Sequence, residues 1–149
     1  MEKEKLELIN NFSAKGCVLL GGLVNEAIKK EKIELKHPQR VIWPLEEKAG
    51  KDLSPETVEA FKREIKRAKT IFWNGPLGKI EEKKFQRGSR EIAEAIAESK
   101  AFSVIGGGQI VGFVNKLGLA KKFNHISTGG GAMLAYLGGE KLPGIEALK

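Results

Sequence analysis

Two rhythms alternate along this chain. Short apolar runs that stop on glycine or another turn residue are followed by longer stretches in which apolar residues recur every third or fourth position. The short runs are CVLLGG (17–22), RVIWPL (40–45), TIFWNG (70–75), FSVIGGG (102–108) and HISTGGG (125–131). Continuous apolar character bounded by turn residues predicts strands buried on both faces. Between them, SPETVEAFKREIKRA places Val58, Phe61 and Ile65 on one face of a helix, behind a Ser54 cap and Pro55 at the first helical position. GSREIAEAIAES repeats the logic, with Ser89 as the expected cap and Ile92, Ala93, Ile96 and Ala97 as the buried stripe. QIVGFVNKLG and GAMLAYLGG follow the two glycine triplets directly and also read as helices, as does the charged amino-terminal MEKEKLELINN. Alternating β and α units predict an α/β fold: a parallel sheet with helices on both faces and right-handed crossovers. KHPQR and EEKAGKD are the least regular stretches and read as loops.

Composition narrows this picture. A chain of 149 residues, 41% hydrophobic and 30% charged, suits one domain spanning 1–149 with a real core. The 26 basic and 19 acidic residues leave a net charge of +7 that is spread over both halves. That balance suits an anionic small ligand or an acidic partner. Nucleic-acid binders instead concentrate Lys, Arg and aromatic residues on one surface, and no such stripe occurs, so neither nucleic acid nor membrane is expected as a partner. KKEK at 29–32 and KK at 121–122 read as solvated helix ends. Cys17 has no second cysteine in the chain to pair with and reads as an inert strand residue in a reducing compartment. No apolar run approaches the ~18 residues of a membrane span, and the charged amino terminus does not read as a signal peptide, so a cytoplasmic location is expected.

The candidate chemistry lies at the strand ends. Gly21–Gly22, Gly106–Gly108 and Gly129–Gly131 all fall where a predicted strand gives way to a helix. Glycine there lets backbone approach a ligand, and the following helix offers unpaired N–H groups and the positive end of its dipole to an anion. A tight strand-to-helix turn explains any one cluster equally well; three clusters on one sheet edge favour a phosphate or nucleotide. FWNGPLGKIEE (72–82) adds Asn74, Gly75 and Pro76 to the same edge, with Glu81 and Glu82 as candidate ribose or metal contacts or plain surface residues. No P-loop string G-x-x-x-x-G-K-[ST] occurs. Gly106, Gly108 and Gly112 give a loose dinucleotide-like spacing, but the next strand ends on Ser127 and Thr128 with no acid for a ribose diol, which disfavours a dehydrogenase. His37 and His125 are too few for a metal cluster, and Asp52, the sole aspartate, is as suited to capping a helix as to holding a cation.

AKTIFWNGPLG, FQRGSREIAEAIAE, FSVIGGG, VNKLGLAKKFNHISTGGGA and KLPGIEAL, in that order, closely resemble the carboxyl-terminal half of phosphoglycerate kinase. The resemblance is most specific over 50–149; before that, LELINNF and CVLLGGLVNEAI resemble the same family's segment beside the adenine pocket. It implies a three-layer, Rossmann-like domain that binds ADP or ATP with magnesium, while a separate amino-terminal domain binds 3-phosphoglycerate. By that resemblance Gly21 and Gly22 lie near adenine. Asn74, Gly75, Pro76 and Leu77 border the nucleoside, and Glu81 faces the ribose. Gly106, Gly107, Gly108 and Gln109 line the phosphate path, and the amides of Gly129, Gly130 and Gly131 approach the transferring group.

Departures from the family pattern are equally specific. After the first glycine triplet the family carries Asp-Thr, whose aspartate holds magnesium, where this chain reads Gln109-Ile110. The family's GGxKVxxK strand and its phosphate-contacting lysines, and its amino-terminal domain, have no counterpart in these residues, and the connection from Ile33 to Lys51 looks shortened. The expectation is therefore a nucleotide-binding domain that does not catalyse phosphoryl transfer by itself. One half of a split kinase completed by a partner chain resembling the amino-terminal domain is the first alternative. A non-enzymatic interaction module, self-associating or binding another protein, is the second.

Overall fold

Residues 6–7, 9–10, 13–14, 17–20, 22–43, 51–75, 77–127 and 145–148 are described by the computed structural model. Its strands are β1 (Cys17–Leu20), β2 (Val41–Ile42), β3 (Thr70–Asn74), β4 (Phe102–Gly106), β5 (His125–Ser127) and β6 (Ile145–Leu148). They form one sheet in the order β2-β1-β6-β3-β4-β5, with every pairing parallel. The helices are α1 (Gly22–Lys30), α2 (Pro55–Arg67), α3 (Arg87–Glu98) and α4 (Gly108–Lys116). This is the parallel α/β fold that the alternating rhythms predict.

The core lies where α2, α3 and α4 meet β3 and β4. Val58, Phe61 and Ile65 of α2, Ile92, Ala93 and Ile96 of α3, and Ile110, Phe113 and Val114 of α4 pack in one cluster with Ile71, Trp73 and Ile105. Alternation along the strands sends Phe72 and Val104, paired in register and buried, to the opposite face. Ser54 caps α2 as its sequence predicts, its hydroxyl accepting from Thr57 N–H at 3.2 Å. In the amino-terminal segment, Leu6, Glu7, Ile9 and Asn10 are helical and Ile9 is fully buried. The expected helix GAMLAYLGG lies outside the described residues.

Four local expectations change. The strand predicted at 40–45 is only Val41–Ile42 within the described residues, because Pro38–Arg40 forms a 3-10 turn and Pro44 has no N–H to offer a ladder. Ser89 does not cap α3. That helix begins two residues earlier, and Ser89 sits buried inside its first turn with its hydroxyl accepting from Leu77 N–H at 3.1 Å. Ala97 is half-buried, at the margin of the α3 stripe. β6 was not foreseen as a strand: it is four residues long, follows Pro143-Gly144, and places a glutamate where a parallel strand is normally apolar. Its backbone nonetheless lies between β1 and β3, with Glu146 opposite Val18 on one side and Phe72 on the other.

Phe61 is fully buried at the centre of the main cluster. Phe61→Ala is expected to lower unfolding stability by about 3–5 kcal/mol, seen as a fall in the urea midpoint at unchanged slope.

Candidate functional site

Parallel strands deliver all their carboxyl ends to one edge. Leu20, Leu148, Asn74, Gly106 and Ser127 stand in one row across β1, β6, β3, β4 and β5. Just beyond the row, Gly75 N–H donates to Gly106 carbonyl at 3.4 Å, so the chains leaving β3 and β4 start out tied together. Gly107 then turns at φ 102°, a conformation that strains any residue with a side chain, and α4 starts at Gly108. No side chain among the described residues caps this helix. A Cβ built on Gly108 would meet none of the described residues within 4 Å, so they leave the head of α4 open to approach. Its first-turn amides have no intrahelical acceptor and carry the positive end of the helix dipole.

The loop leaving β3 is fastened from below. Lys79 N–H donates to Lys51 carbonyl at 2.7 Å, Leu77 N–H to Ser89 Oγ at 3.1 Å, and Gln86 Nε2 to Ile80 carbonyl at 2.7 Å. Leu77 and Ile80 are buried in the main core, and Gly75 is buried too. Gly78 has φ 138°, and a Cβ there would lie 2.5 Å from Lys51 carbonyl oxygen, so glycine is what lets the loop lie so close to residue 51. The exposed tip presents Glu81, whose Oε2 accepts from Gln109 Nε2 at 3.1 Å. That bond joins the loop to the second helical residue of α4 across 28 positions of sequence. Two lysines flank the Phe85 ring: Lys51 Nζ and Lys84 Nζ lie 5.5 and 5.1 Å from its centre.

The structure thus brings Gly75, Glu81, Gly106, Gly107, Gly108 and Gln109 to neighbouring positions, with Asn74 at the end of β3 and Gly22 opening α1 at the same sheet edge. Gly21, Pro76, Gly129, Gly130 and Gly131 lie outside the described residues. Leu77 reaches the region only through its backbone, because its side chain is fully buried beneath the loop. His37 is half-buried and His125 exposed. Neither belongs to a cluster, and among the described residues no three His, Cys, Asp or Glu side chains come together as a metal site.

Asp52 is a capping residue. Its Oδ1 accepts from Leu53 N–H and from Gly88 N–H, each at 2.9 Å, satisfying an orphan donor in the first turn of α3 from 36 positions away. A Cβ on Gly88 would fall 2.6 Å from that oxygen, so the contact needs glycine. Burial pushes the Asp52 carboxyl above its ordinary range, while the Gly88 and Leu53 amides and the Arg87 charge oppose the shift.

A groove of about 610 Å³ runs between α2 and α3, lined in part by Lys62, Lys66, Glu91, Glu94 and Lys100. α2 and α3 lead into β3 and β4, so the groove, which includes Ala68, Ser99 and Lys100, lies towards the strands' amino ends. Ligands of parallel α/β sheets sit at the carboxyl edge instead.

The structure is a parallel α/β protein with a glycine loop fastened at its carboxyl edge, the edge at which parallel α/β proteins as a class place their ligands. The phosphoglycerate kinase family model matches residues 3–140, and the chain belongs to that family. The phosphoglycerate kinase of Clostridium tetani is 42% identical over 156 aligned positions, covering 99% of this chain and 38% of that protein. The one from Rubrobacter xylanophilus is 54% identical over 99 positions, or 66% of this chain and 25% of the relative. Among solved structures, phosphoglycerate kinase from Pyrococcus horikoshii OT3 superposes with a TM-score of 0.75 at 28% identity, and that from Coxiella burnetii with 0.73 at 26%. Those superpositions cover 94% and 92% of this chain but 47% of each structure. The chain therefore spans between a quarter and a half of the relatives it matches.

The raised Asp52 carboxyl gives a signed pH effect. The folded chain holds the Asp52 proton more tightly than the unfolded chain does, so this group's contribution to stability falls as pH rises from the unfolded value, ~3.9, through the raised folded value, and is level above it. Asp52→Asn keeps an acceptor for Gly88 and Leu53 without the charge. Urea unfolding from pH 3 to 7 should show the variant gaining on the wild type across that window and holding a constant offset at higher pH.

Proposed function

We propose that residues 1–149 are a single domain corresponding to the carboxyl-terminal, nucleotide-binding domain of phosphoglycerate kinase, and that they bind ADP or ATP at the carboxyl edge of the sheet. The observation that carries this reading is the pairing of the β3 and β4 exits beneath the uncapped head of α4. In this reading the amides of Gly107, Gly108 and Gln109 receive phosphate oxygens, Glu81 faces the ribose, and Asn74, Gly75, Pro76 and the Leu77 backbone form the nucleoside wall. Gly21 and Gly22 approach the adenine, and the amides of Gly129, Gly130 and Gly131 lie nearest the terminal phosphate.

Catalysis is a separate matter. Phosphoryl transfer depends on positioning and on neutralising charge that develops on the transferred group. A carboxylate-held magnesium ion supplies much of that neutralisation in this class of chemistry, and here the corresponding position is the neutral Gln109. These 149 residues are accordingly read as a nucleotide binder without turnover of their own. A second reading is that a basic 3-phosphoglycerate domain outside these 149 residues, offered as a partner chain, completes the site so that the pair transfers phosphate between 1,3-bisphosphoglycerate and ADP; the residues here cover 47% of the solved kinases.

Isothermal calorimetry with ADP should show saturable heat, and an absence of heat at millimolar ADP would remove the binding reading. A coupled kinase assay of the same protein is expected to show no turnover above buffer. Turnover that appears only on mixing with a separately expressed amino-terminal half of the Clostridium tetani enzyme would favour the two-chain reading.

A further inference from the structure

Ser89 is a residue of the capping type that does not cap its own helix. Its hydroxyl, fully buried in the first turn of α3, instead accepts from Leu77 N–H at 3.1 Å, on the loop leaving β3. The capping is done by Asp52, whose Oδ1 accepts from Gly88 N–H at 2.9 Å. Gly88 has no side chain to keep that oxygen away, since a Cβ there would lie 2.6 Å from it. Next to Asp52, the Lys51 carbonyl accepts from Lys79 N–H at 2.7 Å, and Gln86, at the start of α3, donates to the Ile80 carbonyl at 2.7 Å. The loop backbone is thus held at residues 77, 79 and 80 by groups on either side of α2 in the chain.

Apolar packing is non-directional, so the buried side chains of Leu77 and Ile80 keep the loop on the core without fixing how its backbone is turned. Hydrogen bonds do that. Of the two made by side chains, the Ser89 bond is the buried one, and a buried donor that loses its acceptor recovers a partner only if its segment shifts to reach water. We propose that Ser89, held in place by Asp52 through Gly88, is the positioning residue of the nucleoside wall. It lies too deep to reach a ligand, and it sets ADP affinity by fixing the backbone from Leu77 to Glu81 before the ligand arrives. The inference rests on the nucleotide-binding reading above. A wall fixed in advance spares the ordering cost that binding would otherwise carry.

The test compares Ser89→Ala with Ile96→Val, which trims the same helix at a buried position roughly two turns further on. Both should lower the urea midpoint of the full chain and leave it folded without urea. In calorimetry, Ser89→Ala should weaken ADP binding by about fivefold or more, and Ile96→Val by less than about twofold. At saturating ADP, Ser89→Ala should keep the 15N amide shifts at Gly107, Gly108 and Gln109 while those at Leu77 and Glu81 shrink. A folded Ser89→Ala that binds ADP like the wild type overturns the inference. So does an Ile96→Val that weakens binding equally, or a loss of shifts shared evenly by both sets of residues, because lost stability would then be the cause. The wild type provides a check that does not need Ser89→Ala to fold: without ADP, its Leu77 amide should exchange with solvent about a hundredfold or more slower than an unprotected amide. Exchange at the unprotected rate overturns the inference, since the loop would not be set before binding. A wild type that does not bind ADP removes the nucleotide reading itself, and this inference with it.

Discussion

β3 and β4 run parallel and in step from Thr70 opposite Phe102 to Asn74 opposite Gly106, so the two chains must leave the sheet side by side. Everything at the candidate site follows from that shared exit. Gly75 bonds to Gly106 because no residue separates the two strand ends, and Gly107 must turn sharply because α4 starts at once. The register itself is held by burial. Ile71 and Trp73 opposite Ser103 and Ile105 lie under α2, α3 and α4, and Phe72 with Val104 is buried on the reverse face. A slip by one residue would exchange the two faces and move the ends of both loops.

Below the loop, a second layer of contacts converts that geometry into a fixed shape. Ser89, Lys51 and Gln86 each bind one backbone group of the loop, while Leu77 and Ile80 are anchored in the core. Asp52 secures the amino end of α3 and so positions Ser89, one residue beyond Gly88. The aspartate that looked available for chemistry is part of the scaffold, two steps removed from any ligand. Glu81 and Glu82 are both exposed on the loop, and the partner of Glu81 is an amide.

Much of the fold could be read from the sequence because its signals are local. Strands buried on both faces give unbroken apolar runs, and the α2 stripe of Val58, Phe61 and Ile65 declares its own buried side. The strand ends of the candidate site were legible for the same reason, since glycine marks the exits. What could not be read depends on partners distant in sequence. Ser89 looks like a cap until Asp52, 36 positions before Gly88, takes over the capping of α3. The Glu81–Gln109 bond spans 28 positions and leaves no pattern in either segment. β6 carries Glu146 at a position where sequence rules ask for an apolar residue, so only its pairing with β1 and β3 reveals it.

Kinship with phosphoglycerate kinases places this chain in a family whose members are, among those compared, at least about twice its length. Within the shared part, glycine strand exits and a helix head without a side-chain cap among the described residues surround a residue 109 that carries no charge. The most direct measurement is a map of backbone amide shifts in the 15N-labelled chain as ADP is added. The account predicts the largest saturable shifts at Gly75, Glu81 and Gly107 through Gln109. Shifts confined to Lys62, Lys66, Glu94 and Lys100, in the groove between α2 and α3, would contradict it.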